Sequence, residues 1–193
     1  ALSLVGAAMV LALLAVVLAA PWIAPHPEHA AGGFAMGARF APPSAQAWFG
    51  TNELGQDVLS LVLIGGRVSL LSGVAVVVAA TIIGTLVGAA AGYAGGLIDE
   101  ALMRFTDLWL TLPGLILAMA LAAALGPGVA NMIFAIAVAW WPGYARLVRG
   151  EALARKEEAY VQAARALGAG PLRIVGRHIL PNIVSPIVVK MSL

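Results

Sequence analysis

Apolar and polar positions in this chain do not alternate at the short period of a half-buried strand; they separate into long blocks. The first block, Leu2–Ile23, has no charge and is rich in Leu, Val and Ala. At 1.5 Å per residue it is long enough to cross about 30 Å of hydrocarbon. A cleaved leader also ends in small residues, as here at Ala19 and Ala20, but further apolar blocks follow and a retained span is expected. Residues 25–66 are polar and irregular, with His-Pro, Gly-Gly and Pro-Pro punctuation and a short helix expected after Asp57 as its N-cap. A second uncharged block, 68–93, predicts a second span. A charged link (Asp99, Glu100, Arg104, Asp107) leads to a third over 108–125, and Gly126-Pro127-Gly128 turns that into a fourth over 129–144. Pro113 and Pro142 either kink these spans or mark their ends. Trp140, Trp141 and Tyr144 suit either a membrane interface or packing against another helix.

The final block starts at Ile183 and stops about a dozen residues on, short of the roughly 20 that a span requires. The chain also begins without Met inside an apolar run, so both ends are expected to be cut. The expected class is an all-α polytopic membrane protein with four complete transmembrane helices and the start of a fifth. Its expected divisions are a first transmembrane helix at 1–23, an extracytoplasmic loop with a short helix at 24–67, and a core at 68–193. A cytoplasmic loop, 146–182, lies inside that core.

Composition agrees with lipid as the solvent: 62% of the 193 residues are hydrophobic, 10% are charged, and the mean hydropathy is +0.97. With no cysteine, a disulfide and a thiolate metal site are both excluded. The net charge of +2 conceals an asymmetry. Of eleven Lys and Arg, seven (Arg146, Arg149, Arg155, Lys156, Arg165, Arg173, Arg177) fall in the stretch before the last block. Positive loops stay cytoplasmic, which places this segment inside, the 25–66 loop outside, the charged link inside and the N-terminal side inside.

Two patterns refine this picture. Gly84, Gly88 and Gly92 recur at four-residue spacing on one helix face, a small-residue ridge that lets a neighbouring helix approach closely in lipid. In the basic segment, Gly168-Ala169-Gly170-Pro171 interrupts what would otherwise be a single helix and predicts two short helices joined by a turn. Arg155, Glu158, Gln162 and Arg165 share a polar face of the first, and Leu153, Tyr160, Ala164 and Leu167 an apolar one. Leu172, Val175 and Ile179 form the stripe of the second, which Pro181 is expected to end. On charge pattern alone, a basic hairpin resting on anionic lipid headgroups fits equally well.

The residue order goes further. Gln162-Ala163-Ala164, Gly168 and Leu180-Pro181 resemble, at matching spacing, the cytoplasmic loop motif of binding-protein-dependent ABC importer permeases. In that family the first motif position is usually Glu, and Ile commonly stands where this chain has His178. The run from Glu158-Ala159-Tyr160 through Arg165 to Gly168, then Arg177-His178-Ile179-Leu180-Pro181-Asn182, looks like the dipeptide and oligopeptide branch, whose close relatives also carry nickel complexes and glutathione-like ligands. A second block agrees with that branch: Phe49-Gly50-Thr51-Asn52-Glu53-Leu54-Gly55-Gln56-Asp57-Val58-Leu59-Ser60, then Gly65, Arg67 and Ser69-Leu70. Further matches are Gly92-Tyr93, Met103-Arg104, Asp107, Pro113 and Trp141-Pro142-Gly143-Tyr144-Ala145-Arg146. Asn52 stands where the branch usually has Asp, and Gln56 and Leu61 replace typical Arg residues. Asp57 and Arg67 remain as a possible positioning clasp.

The resemblance implies an ABC importer permease fold and a multi-pass subunit of the bacterial inner membrane whose energy source is on another chain. Its partners would be a second permease subunit in a heterodimer, two ATPase subunits that hold ATP and Mg, an extracytoplasmic substrate-binding protein and the lipid bilayer; no nucleic acid is implied. The ATPase-coupling residues would be Glu158, Ala159, Tyr160, Gln162, Ala163, Ala164, Arg165, Gly168, Pro171, His178, Leu180 and Pro181. The outer-loop motif would be Gly50, Thr51, Gly55, Asp57 and Arg67. This chain itself has no GxxxxGK[ST] phosphate loop, so no cofactor is expected on it and it is not expected to be an enzyme.

Rival classes lack their chemistry. An ion-coupled secondary transporter needs an ionisable group near mid-membrane, and the four expected complete spans have none; Lys190 lies in the unfinished fifth block. An intramembrane hydrolase needs a nucleophile with a base, or paired carboxylates, within the spans. His26 and His29 read as residues of a solvated loop in preference to a weak metal contact, His178 as a packed helix-end or interface residue, and no metal site is expected. A passive structural membrane protein stays open at this stage. The topology has a direct check: with single cysteines at Ala45 and Ala169 in intact cells, an impermeant thiol reagent should label the first and spare the second, and the reverse result would invert the orientation.

Overall fold

The computed structural model describes residues 2–30, 32–33 and 38–192, and among them the regular elements are helical. In chain order these are α1 (Leu2–Ile23), the single turn α2 (Pro27–Ala30), α3 (Val58–Ala94), α4 (Gly96–Thr111), α5 (Gly114–Leu125) and α6 (Val129–Lys156). Then come α7 (Ala159–Ala166), α8 (Pro171–Ile174), a π turn (Val175–Ile179), a 3₁₀ turn (Leu180–Ile183) and α9 (Val184–Met191). Three stretches are long and apolar enough to cross a membrane: Leu4–Ile23, Val58–Ala94 and Pro171–Met191. A fourth is added if α4 and α5, bent by 87° at their junction, count as one span.

Several boundaries differ from those the apolar blocks suggest. The short helix after Asp57 and the second span are one 37-residue helix, α3, because nothing in 58–67 breaks it and Asp57 caps its start. The third span is broken instead of straight: Leu112 is extended, and Pro113, with φ fixed near −60° and no N–H to donate, opens α5. The charged link before it is helical, as the first three turns of α4. The fourth block is the first part of α6, which continues through a buried Pro142 for twelve residues beyond Tyr144. Pro181 does not end the last helix. Its missing N–H and its ring are accommodated where the helix widens to a π turn and then tightens to a 3₁₀ turn, and the chain runs on to Met191.

The chain forms two compact units, 1–73 and 74–193. In the first, the loop after α2 folds around Thr51, whose backbone and side chain exchange hydrogen bonds with Ala41 and whose hydroxyl donates to the Ala38 carbonyl. Asn52 Oδ1 accepts from the amides of Leu54 and Gln56, both at 2.9 Å, while Gln56 Nε2 donates to the carbonyls of His29 and Gly33. These bonds satisfy backbone groups that no helix or sheet satisfies.

In the second unit α3 lies directly on α6. A Cβ at Gly84 would come within 2.7 Å of the Trp141 carbonyl oxygen and 2.9 Å of the Ala145 nitrogen. At Gly88 it would reach Val148 Cβ at 2.9 Å and the Arg149 nitrogen at 3.0 Å, and at Gly92 Ala152 Cβ and the Arg149 carbonyl oxygen at 2.8 Å. The glycines therefore let two helix backbones touch along three turns. Trp141 and Tyr144 are buried within this unit while Trp140 is exposed, so the aromatic cluster divides between packing and surface. Phe105, Trp109 and Trp141 cluster at centroid distances of 5.4–6.2 Å, with Phe105 stacked on Trp141 and Trp109 tilted against both, and Trp109 Nε1 donates to the Val138 carbonyl at 2.8 Å, tying α4 to α6.

The glycine contact predicts a contrast between two conservative substitutions. Gly88→Ala should destabilise the detergent-solubilised protein by about 1–3 kcal/mol, because α3 or α6 must shift. Gly73→Ala, whose Cβ meets nothing within 4 Å, should be neutral or stabilising by about 0.5–1 kcal/mol. Thermal unfolding followed by a tryptophan signal checks both; equal effects would remove the close-approach argument.

Candidate functional site

The polar segment that carries the family-like motif rises from the end of α6. α6 stops at Lys156, the chain turns at Glu157 and Glu158, and α7 begins at Ala159. Glu158 occupies the N-cap position, where its carbonyl accepts the amides of Val161 and Gln162 and its carboxylate faces Arg155 at 3.6 Å. α7 ends in a Schellman arrangement: the Ala169 amide donates to the Ala164 carbonyl and the Gly168 amide to the Arg165 carbonyl, each at 3.0 Å. Gly168 has φ +81°, in the left-handed region where a side chain is strained. Pro171 then sits in the first turn of α8, where its missing N–H costs nothing.

Only one side chain of α7 is fully buried, and it is Val161. It joins Ala89, Val148, Ala152, Ile174, Ile179, Ile183 and Ile187 in one apolar cluster. Of the stripes expected from continuous periodicity, Val175 and Ile179 do face this cluster, whereas Leu167 and Leu172, assigned to the same faces, do not. Leu167 is 89% exposed and Leu172 90% exposed, and Tyr160 is exposed as well. The break at Glu157 and Glu158 resets the helical phase, so counting from Leu153 points to the wrong face. Further on, the buried isoleucines are spaced five, four and four apart, and the five is the extra residue of the π turn.

The other motif residues surround this cluster. The Tyr160 ring lies 6.5 Å from that of His178, which is half-buried in the π turn and whose carbonyl accepts from Asn182 Nδ2 at 2.7 Å. Gln162 Nε2 reaches Glu157 Oε2 at 3.3 Å, Ala159 and Ala163 are exposed, and Ala164 is half-buried. The Arg165 guanidinium stands 5.7 Å over the Tyr93 ring, a cation–π contact from α7 to the end of α3. Leu180 packs against the isoleucine cluster, and Pro181 is exposed. Beside these lies an open cleft of about 590 Å³ bordered by Glu151, Arg155, Asn182, Ser185 and Lys190.

Over residues 84–193, 110 of the 193, this chain matches the family described as the binding-protein-dependent transport system inner membrane component. The chain belongs to that family. It is 43% identical over 192 residues to the probable D,D-dipeptide transport system permease protein of Escherichia coli strain K12. It is 44% identical over 192 residues to the glutathione transport system permease protein of Shigella flexneri serotype 5b, and 43% to that of Escherichia coli O6:K15:H31. Each alignment covers 100% of this chain and 63% of the relative, so the chain spans about 63% of the length of these curated relatives. Family membership and the apolar helices together make it a multi-pass membrane protein.

The residues expected to form an outer-loop motif do not all come together. Gly50, Thr51, Gly55 and Asp57 form one tight turn, with Thr51 and Asp57 bridged in antiparallel fashion. Arg67 is elsewhere: it lies ten residues along α3 from Asp57, roughly 15 Å of rise, and the two form no ion pair. The clasp expected between them is absent, and Asp57 instead accepts both the amide and the hydroxyl of Ser60, at 2.9 and 2.6 Å. Asn52 Nδ2 and Gln56 Oε1 meet at 2.9 Å, an amide pair where the family branch usually has Asp and Arg.

The sequence reading missed what fixes the root of the segment. Arg149 binds Asp99 through two bonds of 2.5 and 2.7 Å, and Arg146 reaches Asp107 at 2.6 Å, so α6 is joined to α4 twice. The available signal was Arg146 and Arg149 on one α6 face and two Asp eight residues apart in α4. Arg149→Met should leave the nearly buried Asp99 unpaired and cost about 1–3 kcal/mol or more, whereas Arg104→Met breaks only an exposed pair with Glu100 worth about 0–1 kcal/mol. Denaturation of the two variants in the same detergent should separate them, with the Asp99→Arg/Arg149→Asp exchange recovering part of the loss.

Proposed function

We propose that this chain is the membrane-spanning permease part of an ATP-driven importer of the bacterial inner membrane, carrying dipeptides, oligopeptides or a related small ligand such as glutathione. In this reading it is not an enzyme. ATP and Mg are held by two ATPase subunits on separate chains, a second permease subunit completes a heterodimer, and an extracytoplasmic binding protein supplies the cargo. The relatives named for dipeptide and glutathione transport support the cargo class, and the cluster of arginines after residue 145 supports a cytoplasmic position for α7 and α8.

The observation that carries the proposal is a projecting turn, Leu167 to Leu172, mounted on a packed base. Leu167, Gly168, Gly170 and Leu172 are exposed, whereas Val161 and Ile174 on either side are wholly buried against Val148 and Ala152 of α6. A partner that grips the exposed turn moves Val161 and Ile174 with it. Close-packed interiors transmit such displacements instead of absorbing them. α6 in turn touches α3 backbone to backbone at Gly84, Gly88 and Gly92, so a shift of α7 reaches two long helices without passing through flexible side chains. The coupling residues would thus divide into those that meet the ATPase, Gln162, Ala163, Gly168 and Pro171, and those that carry the motion inward, Ala164, Leu180 and the Val161 cluster.

The test uses the full-length permease reconstituted with its partner subunits. Nothing lies within 4 Å of a Cβ at Gly168, so Gly168→Val should cost only local backbone strain of about 1–2 kcal/mol and leave the spans inserted. It should nevertheless weaken ATPase association and lower cargo-stimulated ATP hydrolysis at least tenfold, as should Ala164→Trp. A hairpin resting on lipid headgroups predicts little change in either quantity, and full coupled transport by both variants would refute the proposed role. Offering the same preparation peptides and glutathione in turn identifies the cargo.

A further inference from the structure

Away from α7 and α8, one set of metal-ligating side chains converges among the described residues. His26, Glu28 and His29 lie in or beside the single turn α2, and one ligand atom from each falls within 4.8 Å of the others. His26 Nδ1 is 3.2 Å from Glu28 Oε1, and the two imidazoles stack with centroids 5.0 Å apart. We propose that these three side chains form a binding site for a first-row divalent transition-metal cation, with Zn²⁺ as the reference ion.

The donor set selects the class of metal. Two imidazoles and one carboxylate suit Zn²⁺, Co²⁺, Ni²⁺ or Cu²⁺, whereas Mg²⁺ and Ca²⁺ take oxygen ligands. His26 and His29 are half-buried and Glu28 exposed, so a bound ion keeps at least one position open to water. The ligands are also held from behind. The His26 amide donates to Ser60 Oγ at 2.9 Å, the Asp57 amide donates to His29 Nδ1 at 2.9 Å, and Asp57 and Ser60 are themselves joined at 2.6 Å. Both residues are thereby tied to the first turn of α3, His26 through its backbone amide and His29 through its ring.

An independent observation concerns the residue that joins His29 to α3. Asp57, the residue that holds His29, is 1% exposed, and its Oδ1 is buried without a hydrogen-bond partner among the described residues. Among the described residues no Lys or Arg forms an ion pair with it. A buried carboxyl group normally has such a partner, and a cation on the adjoining histidines supplies one through a medium that screens charge poorly. Binding carries a structural consequence. Ligation by His29 through Nδ1 replaces the Asp57 amide bond, and ligation through Nε2 requires the tautomer that loses the same bond. Metal occupancy and the tie between α2 and α3 are therefore coupled, whatever cargo the protein carries.

The experiment is a Co²⁺ and Zn²⁺ titration of the detergent-solubilised full-length protein, purified on a tag without histidines and read by visible Co²⁺ absorption and by calorimetry. One equivalent per chain should bind, with Zn²⁺ displacing Co²⁺. His26→Ala and Glu28→Gln, both at accessible positions that leave the Asp57–His29 bond in place, should each weaken binding about tenfold or more. His178→Ala, in the π turn, should leave the affinity unchanged. Absence of one-equivalent binding in the parent protein, or unchanged affinity in both loop variants, overturns the site, and neither result depends on transport.

Discussion

The contact on which the second unit depends is the backbone-to-backbone approach of α3 and α6. In lipid there is no hydrophobic gain from bringing two apolar helices together, so their association relies on close packing over many atoms. Three glycines four residues apart remove the side chains that would hold α3 away, and α6 presents small residues, Ala145 and Ala152, with Val148 between them. With the helices this close, neither can slide by a fraction of a turn without a clash at Trp141, Val148 or Ala152. That contact fixes the face of α6 against which α7 and the turns beyond α8 pack.

The rest of the unit follows from that orientation. With one side of α6 committed to α3, Arg146 and Arg149 reach Asp107 and Asp99 on α4, and Trp141 meets Phe105 and Trp109 of the same helix. α4 is held by charge at one set of positions and by stacked rings at another, which leaves Pro113 to turn the chain sharply into α5. Near its end, the surface of α6 made by Val148 and Ala152 receives Val161 from α7 and the isoleucines beyond α8. The exposed Gly168 turn is thus one end of a continuous packed path.

The unit 1–73 solves a different problem. Its loop leaves Phe40, Trp48 and Phe49 exposed and is organised by hydrogen bonds: Thr51 to Ala38 and Ala41, Asn52 to Gln56, Gln56 to His29 and Gly33, Asp57 to Ser60. Such a network is rigid only when each member is satisfied, which makes the unpartnered Asp57 Oδ1 conspicuous. It lies beside the one group of histidine and carboxylate side chains that the described residues bring together.

What the sequence determined by itself is everything that depends on composition and local chemistry. Long uncharged blocks require lipid, Gly168 and Pro171 dictate a turn between two helices, and the order around Gln162 resembles one family. The glycine spacing marked one helix face, although not which helix it would meet. Tertiary structure decided the quantities that add up along the chain or cross it. A break at Glu157 moved the buried face of α7 from Leu167 to Val161, and one extra residue in a π turn put Ile174 on the same face as the expected Ile179, because periodicity carries phase and any interruption resets it. Continuity of α3 through 58–67 placed Arg67 beyond reach of Asp57, and the packing of α6 brought Arg149 to Asp99 across fifty residues. Ion pairs, like the meeting of His26, Glu28 and His29 with the cap of α3, need three-dimensional proximity, and no local pattern in a single sequence records it.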